Sequence, residues 1–225
     1  MKSPERNAPQ VSQHELQAMA YSDPLTGLGN RYKLRDKIRM LAAERASDPA
    51  PFTIGVANID GFKPINDLFG AEAGDEILCQ VAHRLKACVP DGAIVTRHDG
   101  DEFAFVLPLV FERNGAERVG QMIKDVLSAP YDLGDRNVRL SSSFGFAIHP
   151  FAGDEFEDLL KSAETALYRS KRRGRGQITV YSREIAQEMK SATQLEQALR
   201  HAIISGTLDV HFQPIVRLSD ATVIG

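Results

Sequence analysis

The chain predicts an α/β sandwich with a βαββαβ core, in which a central, mainly antiparallel sheet is flanked by helices. Three features predict it. Phe52 to Ile59 is an apolar run of strand length. Residues 93–107 read as strand, tight turn, strand, with Asp99, Gly100, Asp101 and Glu102 at the tip. Segments of helical periodicity alternate with these strand-like runs along the chain.

The elements follow in order. Val11 to Tyr21 has sparse apolar positions at helical spacing, and Ser22-Asp23-Pro24 breaks it, with Asp23 as a cap. Asn30 to Arg45 places Leu34, Ile38, Leu41 and Ala42 on one helical face. Pro49 and Pro51 separate it from the first strand. Gly61 to Gly74 reads as a loop with a short helical turn, and Asp75 to Val89 as a helix with Ile77, Leu78, Val81 and Leu85 in phase. Beyond the hairpin, Glu112 to Ser128 carries Val119, Ile123 and Leu127 at helical spacing, and Asp132 to Asn137 suits a hairpin turn. Leu140 to His149 alternates as a strand and Pro150 ends it. Phe156 to Arg172 is a helix, and Gln177 to Tyr181 a short strand. From Ser182 the character changes. Ile185 to Ile204 reads as a helix and Leu208 to Val216 as a strand, a pair too small to bury a sheet face. The expected organisation is a tail and leading helix at 1–20, a domain at 21–183, and a linker helix with the opening of a second domain at 184–225.

Composition narrows the class. With 225 residues, 43% hydrophobic and 25% charged, the chain is long enough for one globular core with extra segments. A net charge of −3 gives no basic field for nucleic acid. No apolar run approaches the ~20 residues of a membrane span, and the polar start, Met1 to Gln13, is not a secretory leader. A cytoplasmic protein with no membrane contact is expected. Cys79 and Cys88 lie nine apart in one helix, roughly 13 Å along its axis, too far for a disulfide. They are read as free thiols.

Three clusters carry chemistry. The first is Asn58-Ile59-Asp60-Gly61-Phe62-Lys63-Pro64-Ile65-Asn66-Asp67, at the end of the first strand; the second is the acidic hairpin; the third is Lys171-Arg172-Arg173-Gly174-Arg175. Oxygen ligands for Mg²⁺, backbone N–H groups for phosphates and cations for outer phosphates are the parts phosphoryl transfer requires. Each cluster also has a plainer reading. Acids at a hairpin tip suit a solvated turn, a basic helix end complements the helix dipole, and Asn66 and Asp75 suit helix caps. His98 is read as a strand residue.

These motifs resemble GGDEF domains, the diguanylate cyclases. The resemblance runs through Asp23-Pro24-Leu25-Thr26-Gly27-Leu28-Gly29-Asn30-Arg31, Asp60-Gly61-Phe62-Lys63, Gly74-Asp75-Glu76, Gly100-Asp101-Glu102-Phe103, Ser143-Phe144-Gly145 and Lys171 to Arg175, over about residues 18–183. It implies a fold similar to nucleotidyl cyclase cores. It implies that Asn66 and Asp75 bind the guanine edge, and that Lys171 and Arg175 bind the terminal phosphates. Backbone N–H groups around Phe62 and Lys63 would surround the phosphates, with Gly100 at the hairpin. Asn58, the carbonyl of Ile59, and Asp101 would hold Mg²⁺, with Asp60 as a partial substitute, and Asp101 and Glu102 would be the catalytic acids. The tail, Leu208 to Val216, resembles the first strand of EAL domains, the cyclic-di-GMP phosphodiesterases.

Two departures from the family pattern bear on activity. Asn58 stands where the family has a metal-binding aspartate, and supplies an oxygen without its charge. Asp99 replaces the family's first glycine and adds a charge near the phosphates. Like charges 4 Å apart repel by ~4 kcal/mol at an effective dielectric of 20. Pro90-Asp91-Gly92-Ala93 replaces an Arg-x-x-Asp inhibitory site, so product inhibition through it is not expected. The reading that follows is a degenerate GGDEF module with conditional Mg²⁺ binding. It would bind GTP and act as a homodimer or through an adjacent EAL domain, with little or no cyclase activity. The alternative is an active cyclase making cyclic-di-GMP from two GTP molecules.

Overall fold

The computed structural model describes residues 20–44, 51–134, 136–153, 155–209, 211 and 213–223. In chain order its elements are α1 (Arg31–Glu44), β1 (Phe52–Asp60), α2 (Phe62–Phe69), α3 (Ala71–Cys88), β2 (Ile94–Asp99), β3 (Glu102–Leu107), α4 (Arg113–Leu127), β4 (Tyr131–Asp132), β5 (Asn137–Val138), β6 (Ser141–His149), α5 (Phe156–Arg172), β7 (Ile178–Val180) and α6 (Arg183–Ser205). The chain divides into two compact units, Met1–Ala186 and Gln187–Gly225.

The first unit is the expected α/β sandwich. Its sheet runs β2-β3-β1-β6-β7. The pairs β2/β3, β3/β1 and β1/β6 are antiparallel, and β6/β7 is parallel. β1 sits at the centre and is buried along its whole length. Burial on both faces explains why its sequence is a continuous apolar run without alternation. Phe52, Ile54 and Val56 face a layer built with Leu34 and Ile38 of α1 and Leu159 and Ala163 of α5. Ala57 and Ile59 face the opposite layer, with Ile77 and Val81 of α3 and Ile123 of α4. Gly145 on β6 lets α5 lie directly on the sheet. A Cβ there would meet the backbone of Ala163 and Leu167.

Two expectations are corrected. Gly61 to Gly74 is not a loop: α2 starts at Phe62, and α3 starts at Ala71, four residues before Asp75. Pro64 and the polar Asn66-Asp67 pair suggested irregular backbone. Pro64 falls in the first turn of α2, where a missing N–H breaks no helical bond. Gly70, at φ 86°, then separates the two helices. Asn66 and Asp75 therefore lie inside helices and cap neither; the N-terminal caps are Gly61 and Gly70. The second correction concerns Leu208 to Val216. Its described residues form no strand, and Val216 makes an isolated bridge to Val223. Residues 210 and 212 lie outside the described set. So does 11–19 of the expected leading helix, which leaves Ala20 and Tyr21 helical.

In the second unit α6 continues from Gln187 to Ser205 with Leu195, Leu199 and Ile203 exposed. Cys79 and Cys88 are free thiols. No helix among the described residues is long and apolar enough to cross a membrane.

Candidate functional site

The clusters picked out in the sequence meet at one end of the sheet. Asn58 on β1 pairs in register with Glu102 on β3 and with Ser143 on β6. These positions share the sheet face on which α5 packs. The end of α5 reaches the same place: Lys171 Nζ lies 3.4 Å from Glu102 Oε1, each side chain a little over one quarter exposed.

The hairpin tip is a two-residue turn, Gly100-Asp101, between Asp99 and Glu102, with the register shifting between Arg97 and Asp99. Gly100 has φ 46°, a conformation that favours glycine. The turn is tied down from two sides. The N–H of Ile59 donates to the carbonyl of Asp101 at 3.2 Å. Arg97 Nε donates to the carbonyl of Gly100 at 2.9 Å. Arg97 also reaches Asp23 at 3.3 Å, linking the turn before α1 to the hairpin. Asp23 caps that turn and no helix, accepting from the N–H of Thr26 at 2.9 Å and from its hydroxyl at 2.6 Å. Burial pushes the Asp23 carboxyl up, but the hydrogen bonds from Thr26 and the Arg97 guanidinium outweigh it and hold the group below its ordinary value.

Asp99 is exposed. It lines a cavity of about 260 Å³ together with Asp23, Arg31, Tyr32 and Arg97, where solvent screens its charge. His98 is a strand residue with Nε2 3.7 Å from Glu164 Oε1 on α5.

Asn66 and Asp75 lie near one another, on α2 and α3. A Cβ at Gly74 would meet Asn66 Oδ1, so glycine is what lets the Asn66 amide occupy its place. Asn66 Oδ1 is buried with no hydrogen-bond partner, and a buried acceptor left this way invites a donor from a ligand. Phe62 is buried beneath this pair, while Lys63, Asp75 and Arg175 are exposed.

The sequence reading missed what Asp60 does. Its place on the same strand face as Asn58 suggests a metal ligand. Its buried carboxylate instead accepts from Ser141 Oγ at 2.9 Å, from Ser143 Oγ at 2.8 Å and from the N–H of Gly176 at 3.0 Å. The signal was present in the alternation of Ser141 and Ser143, which sets two hydroxyls on one face, but the partner across the sheet is a tertiary fact. Asp101, the carbonyl of Ile59 and the Asn58 amide are all hard oxygen donors, which suits Mg²⁺ in kind. They bring one formal charge, that of Asp101; Glu102 beside them is paired with Lys171. Among the described residues no three His, Cys, Asp or Glu side chains gather at metal-binding distance.

Comparison with known proteins agrees with this fold. The family described as "Diguanylate cyclase, GGDEF domain" matches residues 20–177, and the chain belongs to it. The GGDEF domain of YfiN (TpbB) from Pseudomonas aeruginosa superposes with a TM-score of 0.71 at 29% identity, covering 75% of this chain and 99% of that one. Two curated relatives from the same organism are each 31% identical. One is the cyclic di-GMP phosphodiesterase NbdA, with 92% of this chain and 26% of that protein covered. The other is the bifunctional diguanylate cyclase/cyclic di-GMP phosphodiesterase MucR, with 94% and 31% covered. The chain thus spans about a quarter to a third of the length of these relatives.

Proposed function

We propose that this GGDEF domain serves cyclic-di-GMP signalling as a GTP-binding regulatory module with little or no cyclase activity. The observation that carries this reading is the charge count where β1, the hairpin and α5 meet. Asn58 is neutral and Asp60 is held by three donors, so Asp101 is the one carboxylate in the Mg²⁺ set; Glu102 is paired with Lys171 in the free protein, and the exposed Asp99 lies outside that set.

Guanine recognition falls to Asn66, whose Oδ1 lacks a partner, and to Asp75, a carboxylate able to accept from ring N–H and amino groups. Lys171 and Arg175 take the outer phosphates, with the backbone at Phe62 and Lys63 close to the chain of phosphates. Mg²⁺, when present, would be held by Asn58, the Ile59 carbonyl and Asp101, and would neutralise phosphate charge. With one protein charge in that set, affinity for the metal depends on the nucleotide bringing its own. Lys171 has two acceptors to choose between. In the free protein it neutralises Glu102; with a triphosphate bound it turns to the phosphates and leaves Glu102 free to accept a proton.

The relatives named for phosphodiesterase activity match across nearly all of this chain, including the part beyond residue 177. This supports a regulatory role toward an EAL domain, exercised within one polypeptide or through a GGDEF dimer. The second reading, an active cyclase, draws on the retention of Asp101, Glu102 and Lys171 in one place.

Calorimetric titration with GTP and Mg²⁺, paired with a GTP turnover assay at high protein concentration, tests the proposal. Binding without cyclic-di-GMP formation is expected, with Lys171→Ala weakening binding by about tenfold. Formation of product would establish the cyclase reading, and absence of binding at millimolar GTP would remove the nucleotide role.

A further inference from the structure

Three consecutive residues after α5 have positive φ: Gly174 at 109°, Arg175 at 60° and Gly176 at 58°. For the two glycines this is unremarkable. For Arg175 it is a left-handed conformation that is unfavourable for a non-glycine residue and persists where its surroundings hold it. The surroundings are visible on both sides. The N–H of Arg175 donates to the carbonyl of Ser170 at 3.2 Å, closing the end of α5. The N–H of Gly176 donates to Asp60 Oδ2 at 3.0 Å and shares Ser143 Oγ at 3.1 Å. Asp60 is 6% exposed and Ser143 fully buried. Ser143 Oγ donates to Asp60 while accepting from Gly176, and Ser141 Oγ donates to the same carboxylate.

We infer that Asp60 is a positioning residue: with Ser141 and Ser143 it latches the Gly174–Gly176 loop to the ends of β1 and β6, fixing where Arg175 stands relative to Asn58 and the hairpin. The chemistry fits. A buried carboxylate is stable when its oxygens are filled by donors, and bonds from hydroxyl and N–H groups to an ionised acceptor are the strong ones. The same occupancy withdraws Asp60 from service as a substitute metal ligand. A strand-end charge thus holds the loop bearing a phosphate-binding cation. The consequence for nucleotide affinity rests on the GTP-binding reading above; the anchoring of the loop does not.

The test compares wild type, Asp60→Asn and Ser143→Ala as full chains. Asp60→Asn keeps size and replaces one acceptor oxygen by a donor. Ser143→Ala removes the bridging hydroxyl, whose hydrogen bonds go to Asp60 and Gly176 and to none of the groups assigned to Mg²⁺. The readouts are amide exchange at Gly176 by NMR, affinity for GTP and for GMP, and Mn²⁺-induced line broadening at Asp101. Exchange at Gly176 is expected to rise about tenfold or more in both variants, as a charge-assisted bond is lost. GTP affinity is expected to fall about tenfold against an unchanged GMP affinity, with the Mn²⁺ effect kept. Unchanged exchange at Gly176 in both variants would overturn the latch. So would loss of the Mn²⁺ effect in Asp60→Asn with the loop undisturbed, which would make Asp60 a ligand. If wild type binds no GTP, the nucleotide reading falls while the exchange data still decide the latch. Should Asp60→Asn fail to fold, Ser143→Ala decides alone.

Discussion

Asn58 lies opposite Glu102 on a buried strand, and an aspartate placed there would add a second carboxylate beside one that a single cation, Lys171, already serves. Asn58→Asp is therefore expected to destabilise the metal-free protein by about 1–3 kcal/mol, the scale of an uncompensated buried polar group. Mg²⁺ with GTP should recover that loss, because the added charge is what a divalent cation lacks here. Thermal melts with and without Mg²⁺–GTP check both halves; a variant whose melting point ignores the metal would contradict the placement of Asn58 among its ligands. Asp23 acts at the same scale on the other side of the hairpin. Its folded carboxyl titrates below its unfolded value, so the stability it contributes is present above the ordinary carboxylate value, about pH 4, and is lost as pH falls through the lowered folded value. The chemical shift of the Thr26 amide, which donates to the Asp23 carboxylate, should follow that titration, and Asp23→Asn should remove the response.

The β2–β3 hairpin carries the acids but does not place them by itself. Its tip is set by β1 through the Ile59–Asp101 bond and by Arg97 through Gly100 and Asp23. β6 has a similar double duty. Its Ser141 and Ser143 hold Asp60, and its Gly145 brings α5, and with it Lys171, onto the sheet. Gly145→Val should push α5 away from backbone it now touches. A loss of more than about 3 kcal/mol in denaturant unfolding is expected, at or beyond the upper end of overpacking costs. Gly55→Ala is the comparison on the neighbouring strand, where the obstacle is the buried Phe146 ring rather than backbone.

At the scale of the whole molecule, both apolar layers are built within the first unit, from Leu25 to Tyr181. A chain ended at Ala186 should melt cooperatively, near the midpoint of the full chain, and keep its GTP affinity; circular dichroism melts and calorimetry check this. The fold was largely legible in the sequence, because apolar periodicity reports burial, and burial decides α1, β1, α4, β6 and α5 within a residue or two. The α2–α3 segment was not, since Pro64, Asn66 and Gly70 read locally as loop, and it took packing of Phe62 and Ile77 into the core to make it helical. In the tail, the described residues of Leu208 to Val216 form no strand despite their strand-like composition, because a strand is defined by the partner that fills its hydrogen bonds. By itself the sequence determined which residue types sit in each motif, hence the family and the neutral Asn58. Only the tertiary structure decided what each charge is committed to, because Asp60 finds Gly176, and Lys171 finds Glu102, across 116 and 69 residues of chain. Pairing over such distances is written in the sheet register and the docking of α5, and in no local pattern.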